Sequence, residues 1–361
     1  MKILHIITSL NSGGAESVLF KIVTNDSENE HHVISLRFHD FYFNKFKKEN
    51  INVDVVFKST FFSFKGILKL YNLIKNSKPD LIQTWMFHSN LLGGLIGRIA
   101  GVKKIFWSIR GPYNKSLYGL STKLVIYLSY LLTNIIPVKV IYNSYYSMNS
   151  FDFFSQNSKK NIVIHNGFKI EDNNYNSTSK DIFYLGMAAR YDAFKDHDTL
   201  INALEICNKK ISNFHCLLAG KEINYQNNKL VKYINMKVLN DRITLLDEQS
   251  YIDDFMKKLD VFVLSSIDES FPNVVGEAMA NKVPCIATDV GDTSILIGDT
   301  GWTVKKSDPI ELSNAIIDSY TIWNSHKDIW LDKKNACFDR VSSQFSFEKM
   351  LNNFKEVWSL A

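Results

Sequence analysis

Glu269 and Glu277 stand eight residues apart in the stretch Asp268-Glu-Ser-Phe-Pro-Asn-Val-Val-Gly-Glu-Ala-Met-Ala280. The run just before it, Asp260-Val-Phe-Val-Leu-Ser265, reads as a buried strand, and the run after Pro272 reads as a helix. One carboxylate is therefore expected in a strand-to-helix loop and the other about two turns into the helix. Between them the backbone N–H groups of Ser270 to Val275 would lack intrahelical partners, which makes the helix start a site for a phosphate or diphosphate. Carboxylates only accept hydrogen bonds, so this pair would bind hydroxyls on either side of that anion. A diphosphate carrying hydroxyl-rich rings at both ends, as in a nucleotide sugar, meets this pattern. Glutamates at this spacing also occur in ordinary helices, and a carboxylate at the position of Glu269 is favoured by the helix dipole alone. The neighbouring residues therefore carry the weight.

Arg190 and Lys195 follow the expected strand 182–187, where an arginine can clamp phosphate oxygens with two donors and a lysine adds a point charge. Gly13 and Gly14 lie between the first strand and first helix, where a missing Cβ permits close backbone approach to a phosphate or sugar. Their pattern is not GxGxxG, which disfavours a nicotinamide cofactor. Asp196-His197-Asp198 has the look of a DxD metal motif, but it begins a helix directly after Lys195, where aspartate is favoured for capping. We assign it no metal.

Taken together these stretches resemble the retaining glycosyltransferases of family 4, which have the GT-B fold, and in particular the subgroup that builds bacterial surface polysaccharides such as O-antigen and capsule. The residues from Ser265 to Val304 carry the C-terminal part of the resemblance, with Pro284, Thr288-Asp-Val-Gly-Asp292 and Gly301. Gly186-Met-Ala-Ala-Arg190 with Lys195-Asp-His197 is similar to the family's diphosphate clamp. Ile3-Leu-His-Ile-Ile-Thr-Ser-Leu10 with Gly13-Gly-Ala-Glu16, Gln83-Thr-Trp-Met-Phe-His88 and Trp107-Ser-Ile-Arg110 match its N-terminal domain more softly. The resemblance implies two Rossmann-like parallel-sheet domains facing a cleft, with nucleotide sugar in the C-terminal domain and acceptor in the N-terminal one. It implies that Arg190 and Lys195 offset leaving-group charge and that Glu277 accepts from ribose hydroxyls. Glu269 would contact the transferred sugar, with the backbone of Ser270, Phe271, Asn273 and Val274 holding diphosphate or sugar. His88 would line the sugar site near the anomeric carbon. Arg110 and Trp85 become acceptor candidates, and Asn143, Ser144 and Asn166 candidates for the cleft wall. No cofactor and no metal are expected. The expected reaction moves a hexose or N-acetylhexosamine, from a UDP-sugar in preference to a GDP-sugar, onto a saccharide linked to a lipid diphosphate, with retention. An epimerase, a phosphorylase and a non-catalytic sugar-nucleotide-binding protein remain open. The chain departs from the family pattern at Asp247-Glu-Gln249 and at Lys221-Glu-Ile223, which leaves base and sugar preference open.

The 361 residues are 45% hydrophobic, enough for two cores. Cys207, Cys216, Cys285 and Cys337 lack metal-ligand spacing and read as reduced thiols of a cytosolic protein. No apolar run reaches bilayer length, and the start of the chain reads as a first strand rather than a signal peptide. Through residue 170 the chain has 21 Lys+Arg against 9 Asp+Glu, and the remainder has 21 against 28. A basic N-terminal half without any nucleic-acid-binding motif points to an anionic membrane surface rather than nucleic acid. The expected location is cytoplasmic, peripheral on the inner face of the plasma membrane. The apolar stretch 117–132 fits either a core helix or a helix lying in the membrane interface, with Lys115, Lys123 and Lys139 near lipid phosphates.

The elements that must position these residues are apolar runs separated by helical patterns. Strands are expected at 2–8, 32–36, 53–57, 80–84, 104–109, 139–143 and 162–165, then at 182–187, 214–219, 242–246, 260–264, 284–287 and 302–304. Strands spaced by helices give parallel sheets with crossover helices. The polar stretch 169–181 has linker composition, so we expect domains at 1–170 and 171–344. Residues 345–361 should form a helix that packs back on the first domain, with Phe347, Met350, Leu351, Phe354, Val357 and Trp358 on one face.

Overall fold

The computed structural model describes residues 1–57, 63–113, 118–151, 159–171 and 181–360. The chain divides into two compact units: unit 1 comprises Met1–Asn166 and Met350–Ala361, and unit 2 comprises Gly167–Lys349. The divisions lie a few residues from 170 and 345. Much of the polar stretch 169–181 falls outside the described residues, as do Lys115 and Leu117.

In unit 1 the elements run β1 (Lys2–Ile7), α1 (Gly14–Asn25), β2 (Glu30–Arg37), α2 (Asp40–Lys48), β3 (Asn52–Phe57), α3 (Phe64–Ser77), β4 (Leu81–Trp85), α4 (Phe87–Ile99), β5 (Ile105–Ile109), α5 (Leu120–Leu132), β6 (Lys139–Tyr142), α6 (Tyr145–Ser150) and β7 (Asn161–Val163). Unit 2 runs β8 (Phe183–Ala188), α7 (His197–Asn208), β9 (Phe214–Ala219), α8 (Asn228–Met236), β10 (Ile243–Leu245), α9 (Ile252–Met256), β11 (Val261–Leu264), α10 (Asn273–Ala280), β12 (Cys285–Thr288), α11 (Thr293–Ile297), β13 (Trp302–Val304), α12 (Pro309–Ser325) and α13 (Lys327–Gln344). The final helix, α14 (Phe347–Ser359), begins in unit 2 and continues into unit 1. Every expected strand is present within a few residues.

The sheets are parallel, in the orders β3-β2-β1-β4-β5-β6-β7 and β10-β9-β8-β11-β12-β13. Strands covered by helices on both faces are buried throughout and mostly apolar: β4, β5, β11 and β12 are buried at every position. The strand order reverses between β1 and β4 in unit 1, and between β8 and β11 in unit 2. At such a reversal the following helices depart on opposite faces and leave a crevice beyond the strand ends, where open α/β sheets bind ligands. Residues after β1 and β4, and after β8 and β11, are thus the ones the topology presents.

The end of the chain is tied into unit 1 by a buried polar chain. Trp85 Nε1 donates to His5 Nδ1 at 3.2 Å, which leaves His5 Nε2–H to donate to His31 Nδ1 at 2.9 Å. His31 Nε2–H then donates to Asp26 Oδ2 at 3.1 Å, and Lys355 of α14 meets Asp26 Oδ1 at 3.1 Å. Trp358 Nε1 donates to Gln83 Oε1 at 3.0 Å. Each tautomer is fixed by its neighbour, and both imidazoles are neutral. Burial, then repulsion from His31 and His32, holds His5 well below the usual histidine range, and burial outweighs the pull of Asp26 on His31. In unit 2 burial lowers His197 from 6.5 to about 4. The unfolded chain therefore binds protons that the folded chain refuses, so stability is complete above about pH 6.5 and falls as the pH drops toward the folded values. His197 alone accounts for about 3 kcal/mol across that window. Urea midpoints should drop steadily between pH 7 and pH 4.5, and a flat profile there would contradict these neutral, buried rings.

Helix α5 is apolar on two faces. Val125, Ile126 and Ser129 are buried, whereas Leu120, Leu124, Tyr127, Leu128 and Leu131 are exposed, as is Ile135 beyond it. Helix α5 therefore has one side in the core and the other bare. Among the described residues no helix is long and apolar enough to cross a membrane.

Candidate functional site at the strand reversals

In unit 2 the reversal places the β8–α7 loop beside the β11–α10 loop, because β8 and β11 pair directly. Lys195, from the first loop, forms an ion pair with Glu269, from the second. Ser266 Oγ donates to the same Glu269 oxygen at 2.8 Å. The loops are also tied through their backbones: Ile267 N–H donates to the Phe194 carbonyl at 2.8 Å, and Ser265 Oγ reaches the carbonyls of Lys195 at 3.0 Å and Asp196 at 2.9 Å. Arg190 is largely exposed and pairs with Asp192. Burial would raise the Asp192 carboxyl, but the hydrogen bond and charge of Arg190 hold it below the usual range. Asp192 also accepts from the Phe194 and Lys195 N–H groups, which sets the loop's curvature. The result is two cation–carboxylate pairs, Arg190 with Asp192 and Lys195 with Glu269, on neighbouring loops at the sheet's carboxyl end, groups that can meet an anion and a hydroxyl.

Two glycines make this approach possible. Gly291, after β12, has φ +61°, and a Cβ there would overlap the carbonyls of Glu269 and Ser270. Gly220, after β9, has φ +140°, and a Cβ would overlap the carbonyl of Ala189 just before Arg190. Both positions combine left-handed backbone with contact against the loops that carry the charges.

Helix α10 corrects one expectation. It starts at Asn273, so Glu277 lies little more than one turn in rather than two, and Glu269 to Phe271 remain loop. A proline disfavours the helical region for the residue before it, in keeping with Phe271 lying outside the helix and Pro272 at the cap. Proline offers no side-chain cap, and Val275 N–H is already taken by the Pro272 carbonyl at 3.1 Å, so not every donor from Ser270 to Val275 is available. The Phe271 ring is buried against Phe168 and Phe345, which leaves its backbone as the part that can serve a ligand. Ser270, Asn273, Val274 and Glu277 lie in the same loop and first turns.

In unit 1, Gly13 caps α1 and Gly14 is its first residue. The Glu16 carboxyl folds back over Gly13, and burial raises its pKa. A carboxyl there accepts from hydroxyls and opposes a phosphate, so of the two ligands expected at this loop the sugar suits it better. His88 is the second residue of α4, whose cap Met86 has φ +73°, a strained conformation for a residue with a side chain. That strain is held by Met86 N–H to Ser108 O at 2.9 Å, by Thr8 with Ser89 at 2.9 Å, and by Thr84 to Asn90 at 2.7 Å. Burial and the nearby Arg37 charge lower the His88 pKa, so the ring is neutral near pH 7. Asn143, Ser144 and Asn166 are buried at or beyond the strand ends, and Ser144 caps α6. Trp85 departs from its expected role. It is wholly buried and bonded to His5, so it supports the fold and cannot touch an acceptor.

Asp196 accepts from Thr199 N–H at 3.2 Å and caps α7 with φ +47°, and Asp198 lies in that helix's first turn. Among the described residues no group of three or more His, Cys, Asp or Glu side chains comes together as a metal site.

The residues that sequence reasoning missed are Asp192, Ser265, Ser266 and Gly220. Ser265-Ser266 ending an otherwise apolar strand was the available signal, because buried hydroxyls there must find partners.

Comparison with known proteins fits this geometry. Residues 179–321 match the family described as "Glycosyl transferases group 1". The chain is 23% identical over 314 residues to the UDP-Gal:alpha-D-GlcNAc-diphosphoundecaprenol alpha-1,3-galactosyltransferase of Escherichia coli, covering 81% of this chain and 79% of that protein. It is 25% identical over 378 residues to the O-antigen biosynthesis glycosyltransferase WclY of Escherichia coli, covering 99% and 100%. Among solved structures, Anabaena HepE in complex with UDP is similar over 100% of both chains, with a TM-score of 0.85 at 22% identity. The Lys195–Glu269 junction lies inside the matched segment, and the chain thus has a GT-B fold whose residues 179–321 match the glycosyl transferases group 1 family.

Proposed function

We propose that this protein is a retaining glycosyltransferase that moves a hexose or N-acetylhexosamine from a nucleotide sugar to a saccharide on a lipid diphosphate, in the assembly of a bacterial surface polysaccharide. The observation that carries the reading is the meeting of Lys195 with Glu269 at the strand reversal of unit 2, beside the start of α10. UDP is preferred as the nucleotide, in keeping with the UDP-Gal donor named for the Escherichia coli relative and the UDP bound to HepE.

The chemistry follows from the charges. Breaking the anomeric bond puts negative charge on the departing diphosphate and positive character on the sugar. Arg190 and Lys195 offset the first, helped by the dipole of α10. Glu269 accepts from hydroxyls of the transferred sugar and Glu277 from those of ribose. The leaving phosphate takes the acceptor's proton on the same face of the sugar, so configuration is retained without a carboxylate nucleophile and without a metal. His88, held neutral, can exchange hydrogen bonds with sugar hydroxyls without adding charge. Acceptor binding belongs to unit 1. The direct test is turnover by purified protein with UDP- and GDP-sugars, each with and without a diphosphate-lipid-linked saccharide. Acceptor-dependent release of nucleoside diphosphate is expected; donor conversion without acceptor would mean an epimerase, and failure to bind any nucleotide would sink the reading.

A lipid-linked acceptor requires the protein at a membrane surface. The bare face of α5 is suited to that: it is apolar, and the sequence from Leu81 to Phe151 contains no Asp or Glu while carrying Arg98, Lys103, Lys104, Arg110, Lys115, Lys123 and Lys139. Apolar side chains in a stretch of sequence with cations and no carboxylates suit the interface of an anionic bilayer. Replacing Leu124 and Leu131 together with Asp should lower co-sedimentation with vesicles containing phosphatidylglycerol by about tenfold or more. Fold and melting temperature should hold, because both side chains are exposed. Undiminished co-sedimentation would remove α5 from the membrane.

A further inference from the structure

Arg110 stands just after β5, at the carboxyl end of the unit 1 sheet. One terminal nitrogen, Nη2, donates to Asn166 Oδ1. The other, Nη1, lies out of solvent and has no hydrogen-bond partner among the described residues, although the residue as a whole keeps some exposure. The Trp85 ring backs the guanidinium at 5.8 Å, and that ring is itself fixed through His5. Two residues back along the strand, Ser108 Oγ is also buried without a partner among the described residues. The terminal nitrogens of a structural arginine in the same unit are treated differently. Arg98 directs its own to the carbonyls of Val102, Lys103 and Ile136. A guanidinium largely withdrawn from water, with no carboxylate partner and one terminal nitrogen unmet, is costly, and a ligand anion is what such an arrangement lacks. No Asp or Glu occurs from Leu81 to Phe151 to supply one locally. Burial lowers the Arg110 pKa to about 9, which still leaves it a cation at neutral pH.

We propose that Arg110 receives the phosphate through which the acceptor saccharide is joined to its carrier. The planar fork of arginine matches two phosphate oxygens, and its place after β5 in unit 1 sets it apart from the cations of unit 2 assigned to the donor. Asn166 turns the fork, and Trp85 supports it from behind without touching the ligand. The inference rests on the glycosyl-transfer reading for the identity of the ligand, but the anion site can be tested without it.

The first probe is inorganic pyrophosphate, titrated calorimetrically into the full chain carrying R190Q and K195Q, so that the unit 2 cations do not contribute. Adding R110Q should weaken binding at least tenfold, and R110K should fall between. Hydrogen exchange on the wild-type chain guards against a variant that fails to fold: pyrophosphate should slow exchange across residues 108–111. Binding unaffected by R110Q, or no protection there, would overturn the site. Glucuronate protecting the segment when pyrophosphate does not would overturn the choice of phosphate. In turnover, R110Q should raise KM for the diphosphate-linked acceptor at least tenfold more than KM for the same saccharide as a neutral glycoside. Equal effects on both acceptors would also refute it. Arg110-dependent pyrophosphate binding in a protein that transfers no sugar would leave the anion site standing and defeat only the functional reading.

Discussion

Replacing Lys195 with Met is expected to reduce kcat by about 10²- to 10³-fold, the range seen when one preorganised donor to a developing anion is lost. The loss is twofold in origin. The departing diphosphate loses a cation, and Glu269 keeps only the neutral Ser266 donor, its charge no longer balanced beside that diphosphate. Glu269→Gln should reduce turnover by a similar order, about 10²-fold, through the transferred sugar's hydroxyls. Because the two side chains touch, their effects should not add: the K195M/E269Q double variant should be only slightly worse than K195M, since removing the carboxylate charge relieves the repulsion that K195M creates. Single-turnover rates with saturating donor would read this directly. Strictly additive losses would show that the pair does not act as one unit.

Gly291→Val is expected to be the most disruptive single change outside the hydrophobic core. At φ +61° a branched residue is strained, and its Cβ would overlap the carbonyls of Glu269 and Ser270. Backbone strain and overpacking each cost about 1–3 kcal/mol. Relief requires the β11–α10 loop to move, including the Asp292 N–H to Ser270 O bond of 3.0 Å. Activity should therefore fall at least as far as in E269Q, alongside a melting temperature lower by several degrees. Gly291→Ala should show the same pattern to a smaller degree. A Gly291→Val protein with native melting behaviour and full turnover would show that the loop does not depend on this close approach.

Much of this architecture was legible in the sequence because parallel strands covered on both faces are continuous apolar runs. Val261-Phe-Val-Leu264 and Cys285-Ile-Ala-Thr288 can hardly be anything else. The charged residues after them were legible for the same reason, since they stand where an apolar run stops. What was not legible depended on which strand lies beside which. Lys195 and Glu269 are 74 residues apart, and only the pairing of β8 with β11 brings them into contact. Trp85 was misplaced because a tryptophan three residues before a histidine looks like part of a binding motif. Its neighbours Leu81-Ile-Gln-Thr are all buried, and the strand carries Trp85 inward with them. The start of α10 after Pro272 was legible, but Glu277 is only the fifth residue of that helix, so its depth was overstated.

Helix α14 gives the chain a particular order of events during synthesis. Unit 1 begins at the first residue, yet Phe354, Lys355 and Trp358 reach it only after the whole of unit 2 has been made. At ribosomal speeds of about 5–20 residues per second, that interval is on the order of ten seconds or more. Throughout it, the nascent unit 1 has Gln83 without Trp358, Asp26 without Lys355 and the Trp85 ring without Phe354. Unit 2 is continuous and can close as soon as it emerges, so the later half of the protein is positioned to finish folding before the earlier half. A nascent chain of this design has good reason to depend on a holdase, and arrest just short of residue 350 should leave unit 1 sensitive to protease while unit 2 resists.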